Sequence, residues 1–231
     1  MAKTMCILGC SGLEAEIKEL ELIKIQAELY NIECDTIVIS NSDEFSTTLF
    51  PKKHNYIYLS AHGNQYGFGD GKGVYVSWKN FGQILYNSKC LNENSFLLLS
   101  CCRGGLNDVA YDLIYFCDKI DFVCGPRYSL YTEETILGFS VFLYNVEYKK
   151  LDPIIACEKI KNASDLRFIC FDRLEIQTET SYLLRTDKYK ITKVDLNNDG
   201  VKDEIIIDDN TLADNSYTDE DAANQNPETA L

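Results

Sequence analysis

Only two histidines occur in the chain, His54 and His62. The second closes an apolar run, Tyr56-Ile57-Tyr58-Leu59-Ser60-Ala61, with Gly63 behind it. A second run, Phe96-Leu97-Leu98-Leu99-Ser100-Cys101, delivers Cys102-Arg103-Gly104-Gly105. An imidazole and a thiol at the tips of adjacent parallel strands would stand side by side, as a thiolate nucleophile and its proton acceptor require. The plainer account is a polar strand end and a packed cysteine, and the neighbouring glycines weigh against it. Gly63 lets a backbone N–H approach a substrate carbonyl. A strand-to-helix turn after Cys102 would place the thiol where a helix N-terminus favours a thiolate and an oxyanion. Cys101 is the rival nucleophile: successive strand residues point to opposite faces, so only one of the two can address His62, and spacing does not decide which.

The elements around these runs set their positions. Thr4 to Leu8 reads as a buried strand ending at Gly9-Cys10-Ser11-Gly12. Leu13 to Tyr30 reads as a helix with Ile17, Leu20, Ile23, Ala27 and Tyr30 at helical spacing. Cys34 to Ile39 is a second strand, and Ser42 and Asp43 cap a short helix that Pro51 ends. The strand ending at His62 comes third. A glycine-rich loop spans Gly63 to Gly73, and a helix follows from Trp78 to Asn87. The strand ending at Ser100 is fourth, Leu106 to Cys117 a helix, Asp121 to Cys124 a fifth strand. Helices over Thr132 to Tyr148 and Asp152 to Ala163 complete the alternation. Strand and helix in turn imply an α/β fold, with a mostly parallel sheet between helices and chemistry at the strand C-termini.

Composition narrows the function further. The 231 residues are 45% hydrophobic, enough for one well-buried core, and the formal net charge of -14 disfavours a nucleic-acid backbone as partner. Ten cysteines occur without a CxxC pair, and most lie in apolar segments where a free thiol behaves as a small hydrophobe. With no apolar run long enough for a bilayer and no signal-like start, a reducing cytoplasm and no membrane partner are expected.

Three units are expected: 1–165 as the catalytic domain, 166–208 as a β-rich extension, and 209–231 as an acidic disordered tail. The tail has no Lys or Arg among its Asp and Glu residues. Within the extension, Asp195, Asn197, Asp199, the Val201 carbonyl and Asp203 alternate around Gly200 like the front half of a calcium loop. Ile206 stands where a helix-loop-helix site needs a bidentate Glu, and a plain Asn-Asp-Gly hairpin turn needs no metal. Calcium is the one cofactor candidate, and none is required for thiol chemistry.

Ser60-Ala61-His62-Gly63 and Ser100-Cys101-Cys102-Arg103-Gly104 resemble the His-Gly and Gln-Ala-Cys-Arg-Gly elements of caspases. Their order and strand context are closer still to the bacterial CHAT peptidases. Asp121 to Gly125, Thr132-Glu133-Glu134 with its aromatic helix, and Pro153 to Cys157 are similar to the closing section of that family. The resemblance covers roughly residues 4 to 163. It implies a three-layer caspase-like sandwich, with Cys102 as nucleophile and His62 as general base and acid. It implies the N–H groups of Gly63 and Cys102 as oxyanion donors. Cys101 stands where the motif has Ala, which favours Cys102. The resemblance also implies a protein or peptide substrate, a regulatory protein partner and a role in bacterial defence or programmed death.

Substrate choice stays open at this stage. Ser100 replaces the Gln of caspases and the Asp of metacaspases. Arg127 would suit an acidic side chain, and Asp70 or Asp108 a basic one. Two other readings differ in class. One is a catalytically silent scaffold that recruits partners through the acidic tail. The other is a doubly wound nucleotide- or phosphate-binding module using Gly9-Cys10-Ser11-Gly12 as an anion cradle.

Overall fold

The computed structural model describes residues 2–10, 14–40, 44 and 52–177, together with the backbone of 190–194 and 203–207. Its centre is a six-stranded sheet in the order β2-β1-β3-β7-β8-β9. The strands are β1 (Lys3–Gly9), β2 (Ile32–Val38), β3 (His54–Ser60), β7 (Leu91–Ser100), β8 (Ile120–Pro126) and β9 (Phe168–Asp172). The first five run parallel, and β9 pairs antiparallel with β8 at the edge. The α/β expectation holds.

Runs of apolar residues make the inner strands because both sheet faces are covered, so alternation with polar residues would leave polar groups buried. On one face Cys6, Leu8, Ile57, Leu59, Leu97 and Leu99 pack under α2 (Trp78–Ser88) and α3 (Asn107–Phe116). On the other, Met5, Ile7, Tyr56, Tyr58, Phe96 and Leu98 meet α1 (Glu14–Leu29), α4 (Thr132–Leu143) and α5 (Pro153–Ser164). Helix, sheet and helix therefore form three layers. Phe139 and Phe142 of α4 are fully buried against this second face. Removing either side chain costs about 3–5 kcal/mol.

Two differences from the sequence expectation bear on the site. Ile17 is exposed, and the buried stripe of α1 runs through Glu16, Leu20, Ile23 and Ala27. The glycine-rich segment after His62 folds into a small antiparallel sheet of β4 (His62–Gly63), β5 (Gly67–Gly69) and β6 (Tyr75–Ser77). Gly67 and Gly69 are required there, since a Cβ would lie 2.4 Å from the Val76 carbonyl oxygen and 1.9 Å from that of Val74. A further antiparallel pair, β10 (Lys190–Val194) with β11 (Asp203–Ile207), forms its own two-stranded sheet. The expected helix after Ser42, apart from Glu44, and the tail from 209 fall outside the described residues. No helix among the described residues is long and apolar enough to cross a membrane.

Candidate active site

The register of the two central strands brings the histidine and the cysteine together. Ser60 of β3 pairs with Ser100 of β7, and the Ala61 N–H donates to the Ser100 carbonyl at 3.3 Å. His62 and Cys102 each follow two residues later, and both line one hollow of about 200 Å³ at the C-terminal edge of the sheet. The strands stay close beyond the ladder: a Cβ on Gly63 would come 2.9 Å from the Cys102 carbonyl oxygen and 3.4 Å from its nitrogen. Glycine at 63 thus lets two backbones touch beside the thiol.

The two cysteines part as the pleat demands. Cys101 is 1% exposed, its Sγ donates to the Leu59 carbonyl at 3.7 Å, and burial pushes its thiol well above the ordinary range. Cys102 is half-buried on the hollow side, with its Sγ 4.0 Å from the Leu130 carbonyl oxygen. His62 is exposed at the same rim.

The turn after the cysteine differs from the expected helix start. Arg103 has φ 61°, the left-handed region, and its guanidinium donates to Gln65 Oε1 at 3.1 Å. The Gly104 N–H then closes on the Cys101 carbonyl at 2.9 Å, and the Gly105 N–H on that of Pro126 at 2.8 Å. A Cβ at Gly105 would sit 2.1 Å from the Gly125 carbonyl oxygen, so this turn packs backbone on backbone against the end of β8. Only after that contact does α3 begin, at Asn107. Cys102 therefore sits on a glycine-held turn rather than at a helix N-terminus.

The hollow has an acidic floor that the sequence reading missed. Glu19 of α1 is 2% exposed, and its carboxylate accepts from Tyr58 Oη at 2.6 Å, Ser60 Oγ at 3.0 Å and Ser100 Oγ at 2.5 Å. Burial raises its proton affinity above the usual carboxylate level, against the pull of those hydroxyls. Glu16, one turn earlier and also buried, lines the same hollow with Tyr131, Thr132 and Thr135. A signal was present: Glu16, Leu20, Ile23 and Ala27 share one helical stripe, so an acid occupies a core-facing position.

Ser100 does line the hollow, but its hydroxyl is committed to Glu19. Asp70 is not part of it: its Oδ1 accepts the N–H groups of Lys72, Gly73 and Val74 at 2.8 Å each, which hold its carboxyl down at about 2. Asp108 is exposed in the first turn of α3. Arg127 is half-buried at the end of β8, where its N–H donates to the Arg167 carbonyl at 2.9 Å. Desolvation, then the Arg167 charge, lower its proton affinity. Asp195, Asn197, Asp199 and Val201 of the calcium loop lie outside the described residues, as do Ser11 and Gly12 of the Gly9 to Gly12 cradle. Asp203 is known only as the backbone start of β11. Among the described residues no group of three or more His, Cys, Asp or Glu side chains could hold a metal ion.

No family model and no curated protein matches the sequence. Among solved structures, the chain is similar to an inactive zymogen C11 protease from Parabacteroides distasonis, at 12% identity with a TM-score of 0.53. The match covers 79% of this chain and 66% of that one, a little under two thirds of its length. At that identity the likeness is one of fold. The chain has the α/β architecture of a caspase-like neighbour: a mostly parallel six-stranded sheet covered by helices on both faces.

Proposed function

We propose that the protein is a caspase-like cysteine endopeptidase in which Cys102 attacks the scissile carbonyl and His62 moves the protons. The observation that carries this is the meeting of His62 and Cys102, forty residues apart in sequence, in one hollow beside an acidic floor, on a caspase-like sheet. The Cys102 sulfur bonds to the carbonyl carbon and the peptide C–N bond breaks. The departing amine takes a proton from the His62 imidazolium, and water then hydrolyses the thioester with His62 as base. The N–H groups of Gly63 and Cys102, brought together by the missing Cβ at 63, are the donors for the oxyanion. The His-Gly and Cys-Arg-Gly elements, in their order and strand context, are the support for a kinship with CHAT peptidases and for a role in defence or cell death.

The floor extends this proposal to the substrate. Two buried carboxyls beside the nucleophile favour a cationic side chain, Lys or Arg, before the scissile bond. Such a cation would supply the counter-charge that Glu19 needs to ionise in a buried setting.

Cleavage of a Lys/Arg peptide library by wild type, Cys102→Ala and His62→Ala tests the proposal. Each substitution should lower kcat/KM by about 10³-fold or more with the fold intact. Full activity in Cys102→Ala would refute the assignment.

A further inference from the structure

A second hollow, of about 330 Å³, opens on the far side of His62. It shares His62 with the hollow that holds Cys102, adds Gly63, and does not touch Cys102. Phe68 and Val74 line its floor, and Lys72 and Tyr75 stand at its edge. We propose that this hollow binds the side chain of the residue just after the scissile bond, and that it selects large apolar and above all aromatic side chains there. The inference rests on the peptidase reading and extends it to the leaving half of the substrate.

Mechanism fixes the direction. When the thioester forms, the acyl half stays bonded to the Cys102 sulfur, while the amine half leaves with the proton that His62 delivers. The leaving residue must therefore lie beside the imidazole and away from the thiol, where this hollow opens. Its chemistry sets the preference. An apolar floor takes an apolar side chain out of water, and the exposed Tyr75 ring offers a face for offset stacking.

The wall is preformed. Asp70 Oδ1 holds the N–H groups of Lys72, Gly73 and Val74 at 2.8 Å, and the β5–β6 ladder fixes the strands on either side. The glycines of this segment divide by role. Gly67 and Gly69 are needed for close strand packing, whereas a Cβ on Gly73 would meet nothing within 4 Å, so at that position the wall faces open space. Gly73 also lacks the left-handed φ of Gly71, which leaves it free to accept a side chain.

The test is a peptide set with Arg fixed before the scissile bond and Phe, Tyr, Leu, Ser, Asp or Gly after it, cleaved by wild type, Gly73→Leu and Tyr75→Ala. Wild type should prefer Phe and Tyr over Gly by about 10-fold or more in kcat/KM. Gly73→Leu, which adds bulk at a lining position where a Cβ has space, should collapse that ratio toward unity. Tyr75→Ala, an exposed change, should lower it mainly through KM and serves if Gly73→Leu fails to fold by circular dichroism. A flat wild-type preference, or a ratio unmoved by both substitutions, overturns the subsite while leaving the peptidase reading standing. Absence of Cys102-dependent cleavage of any peptide in the set overturns both.

Discussion

At the scale of single residues, the pleat separates two neighbouring thiols into one packed group and one available group. Cys101 donates to a buried carbonyl and has its ionisation suppressed by burial, while Cys102 faces the hollow. An alkylating reagent at neutral pH should modify Cys102 first, and Cys102→Ala should abolish that fast phase in peptide mass mapping. Prior labelling at Cys101 would reverse the assignment. Alternation along a strand was legible in the sequence, but its phase was not, because no periodic polar face marks a strand buried on both sides. Glu19 offers a second residue-scale test. Its raised proton affinity means that the folded chain holds a proton that the unfolded chain releases just above the ordinary carboxylate range. Stability from this group therefore falls as pH rises through that window. Glu19→Gln should remove the fall, seen as a flatter profile of melting temperature against pH. If a cation binds there, KM for an Arg substrate should drop as pH rises through the same window in wild type and stay level in Glu19→Gln.

At the scale of elements, side chains that are missing position the site. Strands β3 and β7 were legible as apolar runs, and so was the order of helices that cover them. What could not be read was the contact between the turn after Cys102 and the end of β8, because a glycine pair advertises conformational freedom rather than a partner. Gly105→Ala would drive a methyl into the Gly125 carbonyl. It should destabilise by about 3 kcal/mol, or about 6–12 °C in melting temperature for a chain of this size. The segment after His62 was legible as a glycine-rich loop, either one wall of a cleft or a permissive turn, and its strands were not. Its ordering comes from ladder pairing and from Asp70, whose three N–H contacts make an acid in a turn into a clamp. Asp70→Ala should speed amide hydrogen exchange at Lys72, Gly73 and Val74, while exchange in β3 and β7 stays unchanged.

At the scale of the whole molecule, β3 ties one face of the core to two buried acids. Tyr58 donates to Glu19 in the hollow of His62 and Cys102, and two residues earlier Tyr56 donates to Glu147, which Lys3 also pairs at 2.7 Å. The two glutamates drift oppositely. Burial raises Glu19, whereas for Glu147 burial is outweighed by Lys3 and Tyr56, so its net shift is downward. A lowered carboxyl adds stability above its unfolded value and loses it as pH falls through the folded one. Together the pair should place maximal stability in mildly acidic solution, and denaturant melts across pH would show it. Glu147→Gln should remove the acid limb alone. The antiparallel course of β9 has a consequence of its own. It starts beside Pro126, near the rim where His62 and Cys102 stand, and finishes beside Phe122. Arg173, Ile176 and Gln177 then lie beside Asp118, at the end of the sheet opposite His62 and Cys102. The distance from that end of the sheet to the hollow shared by His62 and Cys102 is the full seven-residue height of β8, about 23 Å of extended backbone.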